Sequence, residues 1–102
     1  MSAKLTPTYD LNSIKKAFLT PEQLLMTSSA KQGQISLDFS DKNVVDAIQG
    51  LQELNFYKSM PPINPKFVAW QDVYKTHFNE VDLYIKFQVN VKRELILSFK
   101  EK

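Results

Sequence analysis

The stretch Val81-Asp82-Leu83-Tyr84-Ile85-Lys86-Phe87-Gln88-Val89-Asn90-Val91 decides the fold. Its odd positions are all apolar, and its even positions all carry a polar group. Successive side chains of a strand point to opposite faces, so the alternation specifies a strand with one buried and one wet face. Leu95, Leu97 and Phe99 continue the pattern in a last strand, with Ser98 and Lys100 on the opposite face. Residues 90–94 fit a hairpin turn between the two, although they contain no glycine. Further upstream, residues 67–74 and 55–60 are rich in β-formers but alternate poorly. They are expected to be two more strands, joined by an irregular connection marked by Pro61, Pro62 and Pro65.

The first half of the chain has helical punctuation instead. Asp10 is placed to cap a helix that carries Leu11, Ile14 and Phe18 on one stripe, with Lys15 and Lys16 pointing away. Thr20-Pro21-Glu22-Gln23 combines an N-cap, a proline at the first helical position and a capping box. Leu19 and Leu24 are spaced for a hydrophobic staple around it, and Gly33 is the natural stop. Ser40 or Asp41 opens a third helix, with Val44, Val45, Ile48 and Leu51 on one face and Gly50 at its end. The expected fold is α+β: three short N-terminal helices packed on one face of an antiparallel sheet of about four strands.

The length of 102 residues, 43% of them hydrophobic and 24% charged, fits one globular domain spanning residues 1–102. With no cysteine, disulfide scaffolds, thiolate metal sites and cysteine nucleophiles are excluded. His77 is the sole histidine, which leaves no multi-histidine metal site in one chain. Two glycines are too few for a phosphate-cradling loop. The longest wholly apolar run is residues 67–70, against the roughly 18 residues of a membrane span. Residues 1–8 lack the apolar core of a signal peptide, so a cytoplasmic address is the expectation. The net charge is +2; residues 1–51 sum to zero, so the surplus lies in the sheet-forming half.

In a half-wet sheet, burial explains the core-facing side chains and leaves the others to be accounted for. Tyr84 falls on the polar face between Asp82 and Lys86 and is either a β-favoured surface residue or a functional one. Lys100 shares its outward face with Ser98. Lys58 sits beside aromatic Tyr57 in Phe56-Tyr57-Lys58-Ser59-Met60, and aromatic side chains interleaved with basic ones hold nucleic acid by stacking and phosphate contact. Gln71 follows Trp70, whose expected place is the core. His77 is expected after the strand, near a loop. Asp72, Glu80 and Asp82 lack a recognised metal-ligand spacing. On residue content alone, a sheet that faces nucleic acid or protein is the best reading.

Four ordered blocks add to this. They are Asn55-Phe56-Tyr57-Lys58-Ser59-Met60, Trp70-Gln71-Asp72-Val73-Tyr74, Leu83-Tyr84-Ile85-Lys86, and Leu95-Ile96-Leu97-Ser98-Phe99-Lys100-Glu101-Lys102. Together they closely resemble the motility-quorum-sensing-regulator (MqsR) toxins, a family of messenger-RNA interferases. The resemblance is strongest over residues 52–102, while Leu37-Asp38-Phe39 and the helix ending near Gly50 also fit. It implies a RelE-type bacterial ribonuclease fold and the toxin of a type II toxin–antitoxin system. Such a toxin cleaves single-stranded mRNA at a GCU-like sequence without the ribosome, carries no metal and needs no cofactor. Its partner is an MqsA-type antitoxin that binds zinc and DNA. The resemblance carries the catalytic roles onto Lys58, Gln71, Tyr84 and Lys100, and RNA contacts onto Lys75 and His77, with Lys86 and Tyr57 beside them. Residue 77 departs from a family arginine, and residues 61–66 depart from the family pattern. The alternative is a catalytically degenerate homologue that binds RNA or an antitoxin without cutting. An exposed sheet edge is the expected docking place for the antitoxin, by strand addition.

Overall fold

The computed structural model describes residues 3–62 and 69–102. Three helices come first: α1 (Leu11–Ala17), α2 (Ser28–Ser36) and α3 (Asp41–Gln49). Four strands follow: β1 (Phe56–Met60), β2 (Gln71–Phe78), β3 (Val81–Val89) and β4 (Leu95–Glu101). They form one antiparallel sheet in the order β1-β2-β3-β4, each beside its neighbour in sequence. The architecture is α+β, helices against one sheet face, consistent with the RelE-type toxin fold that the resemblance implied. Among the described residues, no helix is long and apolar enough to cross a membrane.

The alternation in β3 sets the layers. Leu83, Ile85 and Phe87 are at most 2% exposed and pack with Ile14, Phe18, Val44, Ala47, Ile48 and Leu51. The Phe18 and Phe87 rings lie 5.9 Å apart, and Tyr74 meets Phe87 edge-on at 5.8 Å. Full burial of one such side chain contributes about 1.5–3 kcal/mol, so this inner face supplies much of the folding free energy. Two caps form as expected. The Asp10 carboxylate accepts from the Ser13 N–H at 3.0 Å. Ser40 Oγ accepts from the Asn43 N–H at 3.1 Å, while the Asn43 amide oxygen accepts from the Ser40 N–H at 2.8 Å.

The second helix differs from its expected course. The capping box at Thr20 forms, but it opens only a single 3₁₀ turn, Pro21–Gln23. The chain then leaves helical geometry to pair with β4. Leu97 N–H donates to the Leu25 carbonyl at 2.9 Å, and Thr27 N–H donates to the Leu97 carbonyl at 3.1 Å. A second N-cap, Thr27, starts α2 by accepting from the Ala30 N–H at 3.1 Å. Leu19 is 55% exposed, so it staples nothing into the core. Gly33 lies inside α2 rather than at its end, where a Cβ would stand 3.4 Å from the Phe99 carbonyl oxygen. Asp38 makes the stop with φ 56°: its N–H donates to Ile35, and the Phe39 N–H donates to Gln34, which is a Schellman closure.

β2 runs from Gln71 to Phe78, later at both ends than the expected 67–74, and residues 63–68, with Pro65, lie outside the described residues. Asn79 and Glu80, at φ 49° and 65°, make the tight two-residue turn to β3 that suits the twist of a hairpin. β3 ends at Val89, and Val91 is 81% exposed in the next turn. There Asn90 Oδ1 accepts from the Lys92 and Glu94 N–H groups, the work a glycine-based turn does by conformation alone.

Candidate active site

The register places the singled-out residues on one surface. Lys58, Val73, Lys86 and Ser98 lie opposite one another across the four strands. In the next row Lys75 faces Tyr84, and Tyr84 faces Lys100. These even-numbered β3 positions point away from the helices, so both rows lie on the outer face. Strands are about 4.8 Å apart, so the α-carbons of one row span about 14 Å.

β1 joins this surface by an irregularity. The pairing slips between Phe56 and Lys58, a β-bulge. Phe56 points inward and meets Tyr74 edge-on at 5.6 Å, whereas the Tyr57 ring stands 6.4 Å from the outward Tyr84 ring. Both Tyr57 and Lys58 therefore face outward although they are consecutive, which strict alternation forbids and a bulge permits. The bulge also explains why residues 55–60 alternate poorly.

Lysines and tyrosines interleave on this surface. Lys75 Nζ lies 3.7 Å from the centre of the Tyr57 ring and 5.7 Å from that of Tyr84. Lys58 Nζ lies 5.0 Å from the Tyr57 ring and Lys102 Nζ 5.9 Å from the Tyr84 ring. Burial, with help from the charges of Lys100 and Lys58, holds the Lys86 ammonium below the usual lysine range. Gln71 is half-buried at the start of β2, opposite Met60 on the same outer face. At about 3.3 Å per residue, it stands about 7 Å from the Lys58–Lys86 row. Val73 is only 2% exposed although it faces outward, in the same row between Lys58 and Lys86.

The remaining candidates fall elsewhere. His77 is in β2 rather than in a loop, at the margin of the lysine face. Its Nδ1 lies 2.8 Å from Asp82 Oδ1 on β3, with both side chains about 65% exposed. That contact leaves Nε2 as the ring atom open to a ligand. Trp70 is half-buried just before β2, with Lys4 Nζ 4.6 Å from its ring centre.

Asp72 has a structural role that the sequence reading missed. It is 0% exposed, and its carboxylate accepts from the Thr8 N–H at 2.9 and 3.0 Å and from the Tyr9 N–H at 2.9 Å. Beside it Lys4 and Ser59 exchange backbone hydrogen bonds of 2.8 and 2.9 Å. Asp72 is thus the anchor of an N-terminal strap along β1, far from Glu80 and Asp82 in role. The sequence signal was an aspartate in a strand otherwise bound for the core.

The model of the family described as "Motility quorum-sensing regulator, toxin of MqsA" matches residues 6–101. The chain is 37% identical over 101 residues to the mRNA interferase toxin MqsR of Escherichia coli (strain K12), covering 97% of this chain and 98% of that protein. Agreement over nearly the full length of both means that this chain belongs to the motility quorum-sensing regulator toxin family.

Proposed function

We propose that the outer face of the sheet is the active site of a metal-independent endoribonuclease. It cleaves single-stranded mRNA at a GCU-like sequence without the ribosome and so arrests translation in the cytoplasm. One observation carries the reading: Lys58, Lys75, Lys86 and Lys100 share one face with Tyr57 and Tyr84. Clustered ammonium groups bind the phosphate backbone, and the exposed rings stack on bases.

The reaction needs little else. The ribose 2′-oxygen attacks the adjacent phosphorus and the P–O5′ bond breaks. The 2′-hydroxyl proton goes to a base, and an acid protonates the departing 5′-oxygen. Lys58 and Lys100 neutralise the phosphoryl oxygens as charge builds there. Tyr84, between Lys75 and Lys100, holds the 2′-hydroxyl or relays a proton. Gln71 orients the phosphate or a base edge. Lys86, whose ammonium is held below the usual lysine range by burial and by the charges of Lys100 and Lys58, is placed in the same row as Lys58 to accept a proton. Lys75, Tyr57 and the open side of His77 contact the flanking RNA. An MqsA-type antitoxin that binds zinc and DNA holds the toxin in an inhibited complex.

Purified protein and a defined RNA in excess EDTA test the reading. Cutting should persist and leave 2′,3′-cyclic phosphate and 5′-hydroxyl ends. Loss of cutting on chelation sinks the metal-free mechanism, and RNA binding without cleavage favours the degenerate binding module. Growth arrest on induction, relieved by the co-expressed antitoxin, tests the toxin role.

A further inference from the structure

A groove of about 270 Å³ opens where α2 runs beside β4. Ser29, Gly33 and Ser36 line it from α2 at helical spacing, Lys86, Ser98 and Lys100 line it from the outer face of the sheet, and Glu101, paired with Leu83, lines it from the end of β4. It is therefore continuous with the lysine face, sharing Lys86 and Lys100 with it. Its volume falls just under the roughly 300–1,000 Å³ of pockets for drug-sized ligands, a size for one planar ring system. An added strand has no room there: α2 comes so close that a Cβ on Gly33 would lie 3.4 Å from the Phe99 carbonyl. The Leu25–Thr27 segment already takes the neighbouring backbone of Leu97.

We propose that this groove is a base-recognition subsite, taking the nucleobase next to the phosphate held by Lys86 and Lys100 and favouring a base with an exocyclic amino group. The inference rests on the ribonuclease reading and adds to it the place where sequence is read. Glu101 is exposed and has no ion pair among the described residues. A carboxylate only accepts hydrogen bonds, so it selects the amino donors of cytosine, guanine or adenine over uracil, which has no exocyclic amino group. The hydroxyls of Ser36 and Ser98 serve either kind of partner. The lysines at the mouth fix the phosphate and thereby the register of the base.

Nucleotide binding to the isotope-labelled intact chain, followed by NMR, tests this without depending on cleavage. Cytidine and guanosine 3′-monophosphates should shift the amides of Ser29, Ser36, Ser98 and Glu101. Ribose phosphate, which lacks a base, should shift only the lysine face. Uridine 3′-monophosphate should bind about tenfold more weakly, and Glu101→Gln should erase that difference. Equal shifts from ribose phosphate, or an unchanged preference in Glu101→Gln, overturn the proposal. So do groove amides that ignore nucleotides and respond only to the antitoxin. A groove that binds bases in a protein that does not cut RNA rejects the catalytic reading alone. Cutting with a silent groove rejects the subsite alone.

Discussion

Lys86 is the residue whose chemistry depends most on its neighbours. Its strand position was legible from alternation; its environment came from the register that sets Lys58 two strands to one side and Lys100 on the adjacent strand. Burial first, then those two charges, favour its free amine. Lys75 and Tyr84 share the same face, and Glu101 approaches from the groove. If Lys86 accepts the 2′-hydroxyl proton, kcat/KM should rise with pH through a midpoint below the ordinary lysine value of about 10.5. Lys100→Gln should move that limb to higher pH, because a like charge is lost, whatever it does to the maximum rate. A limb that stays fixed in a pH–rate profile removes Lys86 as the base. Tyr84→Phe and Lys58→Ala should each slow cleavage by roughly 10²–10⁴ in single-turnover assays if these groups act on the transferred proton or the phosphate. Near-normal rates for both would take them out of the site. His77 shows the limit of reading a lone residue: its sequence position suggested a loop, while cross-strand pairing set it in β2 against Asp82.

At the scale of elements, β1 and the N-terminal strap carry the lesson. Residues 55–60 resist a two-residue period because a bulge turns Tyr57 and Lys58 to the same side. No local pattern announces this; it is fixed by pairing with β2. The strap, in turn, depends on Asp72. A buried carboxylate bonded to two backbone N–H donors loses both bonds and leaves those donors unpaired when it is removed. Asp72→Ala should therefore lower stability by about 2–4 kcal/mol in urea unfolding and speed hydrogen exchange at Thr8 and Tyr9. A loss below about 1 kcal/mol would show that the strap is not held there. The same pairing bears on partners. Lys4 bridges the outer edge of β1 and Met26 bridges that of β4, so the chain itself occupies part of each edge that strand addition would need.

Across the whole molecule, the two faces of the sheet separate charge from burial. A chain with a formal charge of only +2 gathers Lys58, Lys75, Lys86 and Lys100 on one surface, because most of its carboxylates lie elsewhere, while Asp82 at the margin is paired with His77 and Glu101 lies in the adjoining groove. On the other face Tyr74 is 1% exposed, and burial together with the charges of Asp72, Asp10 and Glu53 pushes its phenol up to about 12. Between pH 10 and that value the folded chain keeps a proton that the unfolded chain releases, so stability falls as pH rises through this window. Thermal melts at stepped alkaline pH should show the decline, and Tyr74→Phe should flatten it. An equal decline in the variant would assign the alkaline loss to other groups.

The sequence by itself determined the sheet, because a two-residue period is a direct readout of which side chains face water. It also determined the family, because four ordered blocks survive in one short chain. The strand blocks held Lys58, Gln71, Tyr84 and Lys100, and their common face required only antiparallel pairing. Tertiary structure alone decided where the second helix begins, since Leu25–Thr27 spends its backbone hydrogen bonds on β4 instead of on a helical turn. It alone turned Tyr57 outward, buried Asp72 as an anchor and formed the groove beside α2. Each of these is set by a partner distant in the chain, and the energy of a long-range hydrogen bond or packed contact outweighs the local preference that a sequence displays.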